Sequence, residues 1–281
     1  MLLLSTMCSD YAAARPRGAS LPSRCRRPMM ALLHGTVGLM HGSMAIYNAY
    51  ADRVPVYIMA ANHQDPAGGV NAYHSAQDLG ALVRDFVKWD DQPASVGAFP
   101  ESMLRAHRTA TTEPQGPVYV CFDAALQEQR LEDPVSLPAL SRYTRPSRTQ
   151  ADPQALEQAA ELLLAAERPV VIADYLGRAP QAVQGLIRLA ETLALPVIDM
   201  GDLLSFPSRH ALNLSDASAE LLNEADVVLA LDVFDLQQAL TSVDRVTRLA
   251  QGRLPASASV IDISLRQFAV RSWATDFGRL H

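Results

Sequence analysis

Between residues 29 and 61 the chain changes its hydrophobic period twice, and this constrains its fold more than any other feature. Residues 29–34 (MMALLH) are a short apolar run. Residues 39–50 place Leu39, Ala45, Ile46, Ala49 and Tyr50 at helical spacing, and residues 54–61 (VPVYIMAA) are apolar again. Runs of this length with no polar alternation read as strands buried on both faces, the condition of a parallel sheet covered by helices. Strand, glycine turn at 35–38, helix and strand form a βαβ unit with a right-handed crossover. Its ligand crevice lies beyond the carboxyl ends of the strands.

The same alternation continues downstream. A loop over 62–73 contains Pro66-Ala-Gly-Gly69. Ser75 is placed to cap a helix running to Phe86, a helix is expected over 99–111 with Glu101 in its first turn, and a strand over 118–122 (VYVCF). Residues 131–152, with Pro134, Pro138 and Pro146 and no period, read as a linker. Asp152-Pro153 then opens a helix over 154–166. Strands are expected over 170–174, 196–200, 226–232 and 260–264, and helices over 180–194 and 219–223. Acids close several of these strands, where a polar side chain is expected to meet the solvent-filled crevice. The reading is α/β, two doubly wound parallel-sheet domains, with boundaries at 1–28 (irregular start), 29–130, 131–152 and 153–281.

Composition narrows the function classes. Of 281 residues, 24 are basic and 30 acidic, a net charge of −6 that argues against a nucleic-acid groove. Apolar runs stop well short of the ~20 residues of a membrane span. Cys8, Cys25 and Cys121 have neither disulfide-framework nor metal-ligand spacing, which suits a reducing, cytoplasmic compartment and gives no metal site. Residues 1–28 carry five arginines, four serines and one acid, Asp10. They read as an irregular or out-of-frame start, or as a transit peptide.

Several residues could carry chemistry. His34 ends the first strand directly before a glycine turn, where an imidazole can transfer protons near neutral pH. Gly35 and Gly38 let backbone approach a ligand, though the stretch is neither of the phosphate-cradling glycine motifs. His41 and Asn48 share a helix face and read as solvated surface. His63 and His74 flank the glycine-rich loop. Trp89 reads as a packing anchor, and Ser43 and Ser75 lack a nucleophile-elbow context.

Taken together, Leu33-His-Gly-Thr-Val-Gly38, Asn48-Ala-Tyr50, Arg53-Val-Pro-Val56, Gln77-Asp-Leu-Gly80, Val87-Lys-Trp89 and Gly116-Pro-Val-Tyr-Val120 resemble, in order and spacing, the pyrimidine-binding domain of thiamine-diphosphate enzymes of the acetolactate synthase and benzoylformate decarboxylase group. Residues 152–264 resemble that family's Rossmann-like central domain, through Arg168-Pro-Val-Val-Ile-Ala-Asp174 and Ala225-Asp-Val-Val-Leu-Ala-Leu-Asp232, and the likeness extends from about Pro28 to Phe277. The resemblance implies a 2-keto acid substrate and thiamine diphosphate with magnesium. It makes His34 the catalytic proton relay, with Gly35, Thr36, Val37, Gly38 and His74 near the cofactor; His74 falls where acetolactate synthases carry a polar active-site Gln. The family's catalytic Glu would fall near Asp10, 24 residues before His34. The Gly-Asp-Gly magnesium motif is absent from the sequence. The expectation is a piece of such an enzyme, inactive alone, or a homo-oligomeric or split enzyme whose partner chain supplies the diphosphate-binding domain. Some family central domains hold FAD or ADP, which leaves nucleotide binding as an alternative.

Overall fold

The first strand emerges from Pro28 and is covered by a helix that never leaves the sheet surface. In the computed structural model, which describes residues 28–63, 74–143, 147–201 and 203–265, the chain divides into two units at Arg148/Thr149. Asp10, the rest of the irregular start before Pro28, the Pro66–Gly69 stretch and the continuation to Phe277 lie outside the described residues.

The first unit holds β1 (Met29–Leu33), α1 (Gly35–Ala51), β2 (Val56–Asn62), β3 (Trp89–Asp91), α2 (Phe99–Thr111), β4 (Val118–Asp123) and the short α3 (Ala124–Glu128). Its four strands are parallel in the order β1-β2-β4-β3. One face is packed by α1 through Leu39, Ala45, Ile46 and Ala49, against Ala31, Val56, Ile58 and Ala60. A second cluster joins Ala106 and Ala110 of α2 to Tyr57, Val118 and Val120, with Trp89 packed against it.

The second unit holds α4 (Pro153–Ala165), β5 (Pro169–Ala173), α5 (Pro180–Leu193), β6 (Val197–Asp199), α6 (Ser218–Glu224), β7 (Val227–Leu231), α7 (Leu236–Leu240), the antiparallel hairpin β8 (Thr241–Val243) and β9 (Ala250–Gly252), and β10 (Ser259–Ile263). Its parallel sheet runs β10-β7-β5-β6. Two apolar clusters, one around Val170, Val228 and Val260 and one around Val171, Leu229 and Ile261, make every central strand buried on both sides. The α/β fold class read from the sequence is the one observed.

Three local expectations are corrected. The stretch 35–38 is the first turn of α1, because its glycines pack into the sheet rather than break the helix. The helix expected over 75–86 is two 3-10 turns, Gly80–Leu82 and Arg84–Phe86. The misleading period is real, since Leu79, Val83 and Val87 are all buried. The chain is bent instead by Arg84, whose guanidinium donates to Asp78 (2.8 and 3.0 Å) and to Asp90 on β3 (2.7–3.2 Å). Asp90 and Asp78 hold the Arg84 proton more tightly, and Arg84 in turn lowers the Asp78 carboxyl. Finally, the strand-closing Asp174 faces inward rather than solvent, at 2% exposure.

Lys88, the single lysine of the chain, closes α2. Its ammonium donates to the carbonyls of Thr109 (2.6 Å) and Thr112 (2.7 Å), where α2 presents its negative dipole end. Burial pushes Lys88 down to about 8, with Glu113 pulling the other way. The folded protein therefore sheds this proton before the unfolded chain does, so the Lys88 contribution to stability rises as pH rises from about 8 to about 10.5. Urea unfolding of wild type and Lys88→Met should show a stability difference that moves in favour of wild type across this window. A pH-independent difference would contradict it.

Candidate functional site

The carboxyl edge of the first sheet is where α1 begins, and the start of that helix is held by backbone packing. His34 is the extended residue that precedes α1 (φ −65°, ψ 140°), and its side chain makes no capping bond, leaving the imidazole exposed. Gly35 follows with almost no clearance. A β-carbon there would sit 2.8 Å from the Ala61 carbonyl oxygen of β2 and 3.0 Å from that of His74. Gly38 is nearly as tight, with a β-carbon position 3.1 Å from the His34 Cβ. Glycine at these places lets helix, strand and following loop meet at one point.

Thr36 ties the loop to the helix: its N–H (3.3 Å) and its hydroxyl (2.8 Å) both donate to the His74 carbonyl. Asn62, fully buried at the end of β2, holds the next turn. Its Nδ2 donates to the Ala76 carbonyl at 2.7 Å and its Oδ1 accepts the Ala76 N–H at 3.3 Å. The result places the His34 and His74 rings edge to face, 4.8 Å between centroids and 71° between planes. The Nδ1 of His74 is buried and meets no hydrogen-bond partner among the described residues. The first turn of α1 contains no acid.

The structure thus brings His34, Gly35, Thr36, Gly38 and His74 together. Val37 points outward on α1, at 42% exposure. His41 and Asn48 are both exposed on α1. Asn62 was missed by sequence reasoning, which placed it at the start of a loop; its position directly after the apolar run 56–61 was the available signal. Among the described residues, no group of three or more His, Cys, Asp or Glu side chains is placed to hold a metal.

The contact at Gly35 can be tested against an open glycine. Gly35→Ala should cost about 1–3 kcal/mol, because the carbonyls it meets belong to backbone. Gly185→Ala on α5, where a β-carbon meets nothing within 4 Å, should gain about 0.5–1 kcal/mol. Equal unfolding free energies for the two variants would contradict the tight seating.

With the geometry in place, likeness to known proteins is specific. Residues 156–243 match the family described as "Thiamine pyrophosphate enzyme, central domain". Over 241 residues the chain is 31% identical to "Probable 2-ketoarginine decarboxylase AruI" of Pseudomonas aeruginosa, an alignment covering 82% of this chain and 41% of that protein. It is 29% identical over 209 residues to "Probable acetolactate synthase large subunit" of Methanocaldococcus jannaschii, covering 70% of this chain and 34% of the relative. In fold it is similar to the Rhodococcus jostii thiamine diphosphate-dependent 4-hydroxybenzoylformate decarboxylase, with a TM-score of 0.69, 21% identity, and coverage of 91% of this chain and 48% of that one. The chain spans less than half the length of each of these proteins. The order of the motifs, the parallel sheets and these likenesses agree: the chain belongs to the thiamine-pyrophosphate enzyme family.

Proposed function

We propose that the carboxyl edge of the first sheet is part of a thiamine-diphosphate site acting on a 2-keto acid, with His34 as the proton carrier. The observation that carries this reading is the pairing of the His34 and His74 rings at the start of α1, whose first turn holds no acid. The buried Nδ1 of His74, unpartnered among the described residues, is the kind of atom a bound polar group satisfies. When bound, thiamine diphosphate supplies the electron sink for cleavage beside the keto group. In this reading the exposed His34 imidazole gives a proton to, or takes one from, the reacting substrate. His74 orients the bound group through Nδ1, and Gly35, Thr36 and Gly38 form the adjoining wall.

The diphosphate and its magnesium belong, in the proposal, to residues of a partner chain. A surface suited to such a partner is the outer face of α1. The helix carries no charged residue, and Val37, Met40, Met44 and Tyr47 recur along that face at 42–65% exposure. No helix among the described residues is long and apolar enough to cross a membrane, and Cys121 is a buried free thiol. Both accord with a cytoplasmic setting.

The test uses the purified chain. Thiamine diphosphate at millimolar concentration should move the imidazole NMR signals of both His34 and His74 in wild type, and leave the His34 signal fixed in His74→Ala. The chain alone should not turn over pyruvate or benzoylformate. Unmoved histidine signals would overturn the site. Turnover by the chain alone would overturn the need for a partner.

A further inference from the structure

The second sheet ends its four parallel strands along one edge, in the order β10-β7-β5-β6, and open α/β sheets take nucleotides at such an edge. A nucleotide's pyrophosphate is held there by free backbone N–H groups at strand-to-helix junctions. The junctions after β5, β6 and β7 lie among the described residues.

After β6, the Asp199 carboxylate accepts the N–H groups of Gly201 (3.1 Å), Ser205 (3.3 Å) and Phe206 (3.1 Å). After β7, the Phe234 N–H donates to the Asp174 carboxylate at 2.9 Å. The Asp235 carboxylate caps α7 by accepting the Gln238 N–H at 2.9 Å. After β5, α5 opens with Pro180, which has no N–H. Two amides of its first turn, Ala182 (2.8 Å) and Val183 (3.4 Å), turn back to the Ala179 carbonyl. The space is closed as well. A β-carbon on Gly177, in the turn after β5, would lie 2.5 Å from the Leu204 carbonyl oxygen, so the segment after β6 rests directly on that turn. The Ser205 hydroxyl donates to the Asp174 carbonyl at the same point. Arg178, a cation at this edge, is paired with Asp232.

We infer that the second unit takes no FAD or ADP at this edge, because its own carboxylates occupy amides after β6 and β7 that phosphates would use, and the segment after β6 closes over the turn after β5. Asp174, Asp199 and Asp235 stand in for phosphate groups, and the negative charge they bring repels a pyrophosphate. This inference corrects the nucleotide-binding alternative raised by the family resemblance. It rests on the second unit alone and stands or falls apart from the thiamine site.

Residue-resolved hydrogen exchange on the full chain tests it. With FAD or ADP at about 1 mM, far above the micromolar range of a resident cofactor, exchange at Gly201, Ser205, Phe206, Phe234 and Gln238 should be unchanged. Protection of these amides by either nucleotide would overturn the inference. Without nucleotide, Asp199→Asn should speed exchange at Gly201, Ser205 and Phe206 by about tenfold or more, since an amide side chain is a weaker acceptor than a carboxylate. Unchanged exchange in that variant would likewise overturn it.

Discussion

The first unit depends on the close approach of three backbone segments at Gly35. The helix that covers the sheet starts against the end of β2 and against the His74 carbonyl, with room for a hydrogen atom and little more. From that contact follow the direction of α1, the burial of its small-residue face on β1 and β2, and the anchoring of the loop that carries His74. Thr36 and Asn62 then convert a steric fit into directed hydrogen bonds. The chemistry proposed for the edge depends on this arrangement, because two imidazoles far apart in sequence meet only when helix start and loop are fixed to each other.

The two units settle the carboxyl edges of their sheets differently. The first presents an exposed imidazole, a helix start with no acid in its first turn and a buried imidazole nitrogen unpartnered among the described residues. The second turns Asp174 and Asp199 onto its own amides after β7 and β6. Buried polar groups cost free energy until they are paired. The proposed ligand would pair the His74 nitrogen at the first edge, whereas the amides after β6 and β7 gain their pairing on folding. Similar sheets can differ in function in this way through the residues at their strand ends.

Much of this was legible in the sequence. Short apolar runs separated by helical spacing gave the parallel strands and the long helices, because burial on both faces leaves little freedom in composition. The start of α1 was not legible in the same way: Gly35 and Gly38 read as a turn by local propensity, and a tertiary contact with Ala61 keeps them helical. Residues 75–86 failed for the opposite reason. The spacing of Leu79, Val83 and Val87 is that of a helix, but Arg84 reaches Asp90 on a neighbouring strand, a partner no local pattern reveals. His34 was visible from its place at a strand end. The approach of His74 was suggested by family resemblance, and its hydrogen bonds to Thr36 required the fold.

The central claim is that packing at Gly35 brings His34 and His74 together. A direct nuclear Overhauser cross-peak between their imidazole protons tests it in solution. The account expects that cross-peak in the wild-type chain, with loss in a folded Gly35→Val variant, where the added side chain pushes helix and loop apart. A folded wild-type chain without the cross-peak, or a Gly35→Val variant that retains it at full strength, would contradict the account.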